Sequence, residues 1–194
     1  MLVNFVMRSL YLNQAERAAR GRQALKIELN RSEISAAGYR FCIVVSRWND
    51  TLTSKLADGA VDALTSVGTG EDSIETFYVP GAFELPLACL KAANTGDFDA
   101  VIALGVVIRG DTPHFDYVAG QAASGILQAS MQSGIPVMFG VITADTMQQA
   151  LDRTGEKADN KGYEAAMSAV EMVSMFREMD RRNRQDEQVF PHVA

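Results

Sequence analysis

The chain predicts an α/β fold, a three-layer αβα sandwich on a four-stranded parallel sheet plus an N-terminal strand, from three observations. Tyr39–Ser46 (YRFCIVVS) and Val101–Ile108 (VIALGVVI) are apolar runs without polar alternation, as strands covered on both faces must be. Such runs alternate with stretches whose apolar residues recur at helical spacing. Glycine and proline punctuate the junctions. Strands and helices in that order imply right-handed crossovers with helices on both faces of the sheet.

In chain order, residues 1–25 mix apolar residues with Arg8, Arg17, Arg20 and Arg22, a pattern compatible with a short helix or with disorder, and read as an N-terminal extension. Lys26–Asn30 (KIELN) alternates like an edge or half-buried strand. After the strand at Tyr39–Ser46, Leu52, Leu56, Ala60, Ala63, Leu64 and Val67 mark a helix that Gly68 and Gly70 end. Ser73–Val79 is the second strand, and Pro80-Gly81 turns it into a helix opening with Ala82-Phe83-Glu84 and carrying Leu87, Leu90 and Lys91. Tyr117–Ser133 is a helix whose small residues permit close packing, and Pro136–Ile142 is the fourth strand. Thr146 to about Arg153 makes a short helix, TGEKADNKG a loop, and Tyr163 to about Met179 a long Met-rich helix read as core plus subunit contact. The domain spans 26–182, with 183–194 a polar C-terminal tail.

The densest functional signal is Ala103–Val118 (ALGVVIRGDTPHFDYV), where a buried strand breaks at Gly110 before a helix start. Asp111 and Thr112 supply capping oxygens, and Pro113 suits the first helical position. Free N–H groups and the helix dipole at such a turn seat an anion. His114 stands beside that seat; the only other histidine is His192 in the tail, so imidazole chemistry near neutral pH falls to His114. Ligands of parallel sheets bind beyond the carboxyl ends of the strands. The turns there carry Trp48-Asn49, Gly81 to Glu84, Arg109 to His114, and Thr143 to Asp145.

Composition excludes other classes. A net charge of −6 opposes a nucleic-acid partner, which needs a basic stripe. No apolar run approaches the roughly 20 residues of a membrane span, and Asn4 and Arg8 interrupt the N-terminal run that a signal peptide would need. Cys42 and Cys89 lack any C-x-x-C spacing, so no zinc site or disulfide is expected, and reduced thiols fit a cytoplasmic chain. Neither a G-x-G-x-x-G nor a P-loop motif follows a strand, which removes the familiar nucleotide readings.

The segments Arg47-Trp48-Asn49, Val79–Pro86 (VPGAFELP), Gly105–Tyr117 (GVVIRGDTPHFDY), Phe139–Thr143 and Gly155–Gly162 resemble the lumazine synthases of riboflavin biosynthesis, over about Lys26 to Arg177. The resemblance implies a flavodoxin-like fold and a condensation without cofactor or metal: 5-amino-6-(D-ribitylamino)uracil joins 3,4-dihydroxy-2-butanone 4-phosphate to form 6,7-dimethyl-8-ribityllumazine. It implies roles by position. Trp48 matches the aromatic that stacks on the pyrimidine, with Asn49 beside it; Ala82, Phe83 and Glu84 match the turn that reads the ribityl chain; Val106, Val107 and Ile108 match the pyrimidine-reading edge. Asp111 and Thr112 match the phosphate seat and Arg153 its guanidinium, His114 the proton-transfer residue, and Phe139 and Lys161 the remaining pocket residues. A carboxylate at Asp111 would repel phosphate, so its side chain is expected to face away while its N–H binds.

The resemblance further implies a homo-oligomer, a pentamer or a multiple up to a 60-subunit icosahedral shell, with each pocket shared between neighbouring subunits, and an association with riboflavin synthase. The short Gly155–Gly162 loop favours the shell. Two rival readings remain on the same fold: a catalytically silent lumazine- or flavin-binding shell protein, which has no need of His114, Arg153 and Thr112 together, and a signalling domain, which would want a phosphorylatable aspartate where Arg47-Trp48 stands.

Overall fold

The computed structural model describes residues 35–189. The readings of residues 1–25 and of the strand at Lys26–Asn30 lie outside the described residues. The elements run β1 (Phe41–Ser46), α1 (Asp50–Ser66), β2 (Ile74–Val79), α2 (Leu85–Ala93), β3 (Ala100–Ile108), α3 (His114–Ser133), β4 (Val137–Ala144), α4 (Met147–Leu151) and α5 (Lys161–Val189). Short 3₁₀ turns at Glu71–Ser73, Ala82–Glu84 and Lys157–Asp159 complete them. The four strands are all parallel in the order β2-β1-β3-β4, an α/β, flavodoxin-like arrangement.

The two-residue period of the strands divides the core into two layers. Phe41, Ile43 and Val45 of β1, with Ile102, Leu104 and Val106 of β3, face α1 and α5, where they meet Leu52, Leu56, Ala60, Leu64, Ala166 and Val170. Cys42 and Val44, with Val101 and Ala103, face α2 and α3 and meet Leu85, Cys89, Ala122, Ile126 and Ala129. Every residue of β1 is buried, which is why that segment carries no alternation to read. Burial pushes the Cys42 thiol up to about 12 and raises that of Cys89 as well, so both behave as small hydrophobes.

The N-terminal end of the sheet is tied shut by charge. Arg40 donates from Nε to the Asp97 carbonyl at 3.0 Å and pairs with Glu75 at 3.0 Å, while its N–H reaches Asp99 Oδ2 at 2.8 Å. Arg177 pairs with the other Asp99 oxygen at 2.9 Å and lies 4.0 Å from the centre of the Tyr39 ring.

Among the boundaries that differ from expectation, two bear on the site and on the last helix. Helix α3 begins at His114, with Pro113 (φ −63°) just before it rather than in it, and no side chain of Asp111 or Thr112 caps it. The Asp116 N–H donates to the Pro113 carbonyl at 3.1 Å, so the backbone closes this turn by itself. Helix α5 continues past Met179 to Val189. Its apolar spacing ends where it leaves the core, but Glu178 pairs with Arg181 at 2.7 Å and Arg182 at 2.6 Å, and such pairs one turn apart support a polar helix. The hydrogen bonds from Arg181 and then Arg182 hold the Glu178 carboxyl at about 2. No helix among the described residues is long and apolar enough to cross a membrane.

Candidate active site

The larger concavity lies beyond the carboxyl ends of β1 and β3. Leaving β1, Arg47 N–H donates to the Val79 carbonyl at 2.9 Å and Trp48 N–H to Pro80 at 3.3 Å, which pins this exit to the exit of β2. Asn49 then takes a left-handed conformation (φ 62°), one that asparagine tolerates and β-branched residues resist. Its Nδ2 donates to the Val106 carbonyl at 3.0 Å. The reversal turns α1 away and leaves the Trp48 indole 73% exposed.

Gly81 permits the next contact. A Cβ there would be in ordinary contact with Trp48 Cδ1, at 3.4 Å, and tight against Glu84 Oε2, at 3.1 Å, so glycine gives the carboxylate room to close on this turn. The Gly81 N–H donates to Glu84 Oε2 at 2.9 Å, and Glu84 Oε1 makes no bond among the described residues. One oxygen holds the turn and the other is open to a hydroxyl donor.

Strand β3 outruns β1. Its pairing with β1 ends at Leu104, whereas its pairing with β4 continues to Ile108. The Val106 carbonyl points to the β1 side, where Asn49 bonds it, and the Arg109 N–H points to the β4 side, where it donates to Ala144 at 2.9 Å. Strand alternation therefore turns the Ile108 amide and carbonyl toward the β1 side, beyond the end of the paired strand. Unpaired strand edges recruit polar partners.

The start of α3 closes this cleft, with His114 exposed at its first position. Trp48, Asn49, Ala82, Phe83, Glu84, Val106, Val107, Ile108, Thr112 and His114 line one cleft of about 630 Å³. It also holds Gly81 and Gly110 of the rim turns, and Phe115, Tyr117 and Val118, to which the sequence assigned no role. No Lys or Arg lines it. Asp111 is exposed and lines neither concavity.

The second concavity, about 370 Å³, lies along β4 and the start of α5, and it holds Phe139, Arg153 and Lys161. Asn160 builds it. Its Nδ2 donates to Lys55 at 2.9 Å and Gly155 at 3.0 Å, and its Oδ1 accepts from Gly162 N–H at 2.8 Å and Tyr163 N–H at 3.2 Å. That single buried amide closes the loop and caps α5. Gly59 makes room for it, and a Cβ on Gly162 would overlap the Leu56 carbonyl, so α5 meets α1 backbone to backbone. Lys161 N–H donates to the Arg153 carbonyl at 3.0 Å, which joins the two cations through the main chain. Lys161 Nζ is paired with Glu164 at 2.6 Å. Arg153 donates to the Gln149 carbonyl at 2.8 Å and has no carboxylate partner among the described residues, so its charge is the one open to an anion.

Residues 38–177 match the family model for 6,7-dimethyl-8-ribityllumazine synthase, a span that contains both clefts. The chain belongs to the 6,7-dimethyl-8-ribityllumazine synthase family. It is 51% identical over 155 residues to the 6,7-dimethyl-8-ribityllumazine synthase of Chlorobium chlorochromatii (strain CaD3), a match covering 80% of this chain and 100% of that protein. It is 48% identical to the lumazine synthase of Chlorobium luteolum (strain DSM 273 / BCRC 81028 / 2530), with the same coverage of 80% and 100%. It is 53% identical over 142 residues to that of Desulfatibacillum aliphaticivorans, across 73% of this chain and 92% of the relative.

In this member of the lumazine synthase family, Arg109, which the sequence placed on the rim without a role, is held by two carboxylates. Arg109 donates from Nε to Asp145 Oδ1 at 2.8 Å and reaches both Asp116 oxygens, at 3.3 Å from Nη1 and 3.1 Å from Nη2. These bonds, first that of Asp116, raise its already high pKa. The signal was one cation and two carboxylates on the same rim, but their pairing depends on which strand ends lie side by side. Among the described residues no cluster of His, Cys, Asp and Glu forms a metal site.

Proposed function

We propose that the chain condenses 5-amino-6-(D-ribitylamino)uracil with 3,4-dihydroxy-2-butanone 4-phosphate to give 6,7-dimethyl-8-ribityllumazine, two waters and phosphate, the penultimate step of riboflavin biosynthesis. One observation carries this reading beyond family membership: a stacking ring, an open strand edge, a half-free carboxylate and an imidazole share one cleft. Trp48 stacks on the pyrimidine through its π-face. The overhang of β3 at Val106–Ile108, with Asn49, reads the ring's polar edge, and Ala82, Phe83 and Glu84 receive the ribityl hydroxyls.

The amine attacks the ketone, and the carbinolamine loses water to an imine. Phosphate is then eliminated, and the ring closes with loss of a second water. His114 moves the protons, the service an imidazole performs near neutral pH. Thr112 and the N–H groups of the turn hold the phosphate together with Arg153, whose forked donors suit it.

The cleft with the imidazole has no cation, and the cleft with Arg153 has no imidazole, which supports a pocket completed between neighbouring subunits, with Phe139, Arg153 and Lys161 contributed by the second. The reading includes a pentamer or a multiple of five up to a 60-subunit shell, an association with riboflavin synthase, a catalytic domain at 26–182 and a cytoplasmic setting, for which the buried, unpaired thiols speak. Incubating the purified assembly with both substrates and following the lumazine chromophore tests the activity. Product no faster than in the enzyme-free mixture refutes it. Native mass spectrometry tests the assembly, and a mass that is no multiple of five chains rejects it.

A further inference from the structure

Arg109 is the most heavily anchored side chain on the rim, yet it lines neither cleft. Its N–H is held by Ala144, its Nε by Asp145 and its two terminal nitrogens by the two oxygens of Asp116, and the face of its guanidinium lies 4.1 Å from the centre of the Phe115 ring. Asp116 sits in the first turn of α3, two residues after His114. Asp145 follows β4 and is itself fixed, its N–H donating to Gln149 Oε1 at 2.8 Å.

The segment between these anchors has little of its own. Gly110, Asp111 and Thr112 make no hydrogen bond among the described residues, and a Cβ on Gly110 would meet nothing. The turn must therefore take its position from its ends. The β3 end is set by the sheet; the helix end is set by what holds the first turn of α3. There a planar fork with fixed donor directions joins that turn to the end of β4, in a geometry that one ammonium cannot copy. Both carboxylates and the guanidinium are substantially exposed, so these pairs add little to folding stability and their effect is on geometry.

We propose that Arg109 is a positioning residue for His114: by joining Asp116 to Asp145 it fixes the first turn of α3, and so sets the imidazole against the larger cleft. This rests on the reading of His114 as the proton-transfer residue. An imidazole displaced by an ångström loses most of its value in proton transfer, while the stacking and strand-edge contacts of the pyrimidine stay where they are.

The test is a cycle of Arg109→Met and His114→Ala on the intact assembly, read by lumazine formation. Arg109→Met alone should lower kcat roughly tenfold to a hundredfold with the pyrimidine KM within about twofold. In the His114→Ala background the same substitution should change kcat by less than about twofold, because there is no imidazole left to misplace. Arg109→Lys should fall between, and Asp145→Asn, which leaves α3 untouched, should lower kcat in the same direction. Equal losses in both backgrounds, or no loss with His114 present, overturn the proposal. Crystal structures of the wild type and Arg109→Met decide independently of activity: an imidazole moved by about 1 Å or more supports it, and superimposed imidazoles overturn it. A wild type that forms no lumazine refutes the proposed reaction, and the crystallographic comparison still decides the placement.

Discussion

The two clefts carry complementary sets of groups. The cleft over β1 and β3 has rings, an open strand edge and the imidazole, and its acidic side chain is Glu84. The cleft along β4 has an aromatic and two cations, one of them already neutralised by Glu164. A doubly charged phosphate has no side-chain cation to meet in the first, and a proton in transit has no imidazole to use in the second. Each is also built differently. The first is assembled by strand exits that one glycine and one left-handed asparagine let converge, and the second by a single buried amide that ties a loop to a helix start. Separating charge from proton transfer in one chain makes sense when the two are reunited by a neighbour.

The largest effect should come from the cationic cleft. Arg153→Ala removes a charge-assisted contact worth on the order of 2 to 4 kcal/mol, about thirty- to a thousandfold in affinity for the butanone phosphate. A product-like ligand without phosphate, held by Trp48 and Glu84, should bind nearly as before. Calorimetry with both ligands separates the clefts: equal losses would mean that Arg153 holds the assembly together, and no loss would put the phosphate elsewhere.

His114→Ala should lower turnover by roughly ten- to a thousandfold, toward the lower end because the condensation is feasible without a catalyst, and leave substrate binding little changed. Steady-state kinetics on an assembly of wild-type mass checks it. A wild-type turnover number would remove His114 from proton transfer.

Much of this was legible in the sequence, for reasons specific to the residues concerned. The runs of β1 and β3 are apolar throughout because both faces are covered, and that pattern is local. The rim residues could be grouped because strand ends in a parallel sheet share an edge. What the chain could not disclose depends on the order β2-β1-β3-β4, which no periodicity encodes. That order lets β3 overhang β1 and brings Arg109 to Asp145. Asn160 was hidden likewise, since a loop asparagine reads as a turn former and its acceptors on Lys55 and Gly155 are known only after folding. The continuation of α5 past Met179 was missed because charge pairing, not apolar spacing, supports it.

The smallest effect belongs to Asp111, which lies outside both clefts but near the start of α3. Asp111→Asn removes a negative charge from the neighbourhood of a helix N-terminus where phosphate would sit, so phosphate affinity should rise, by no more than about threefold. Titration with inorganic phosphate measures it. A loss of affinity would mean that the carboxylate takes part in binding.

The central claim, that one chain's imidazole works with another chain's guanidinium, is tested most directly by complementation. His114→Ala and Arg153→Ala chains, each impaired alone, are dissociated, mixed in equal amounts and reassembled. In a ring of head-to-tail interfaces, roughly a quarter of the pockets then receive His114 from one variant and Arg153 from the other, so activity should recover to roughly a quarter of wild type. Activity that stays at the mean of the two separate variants would show that both residues serve the same pocket from the same chain, and would contradict the account.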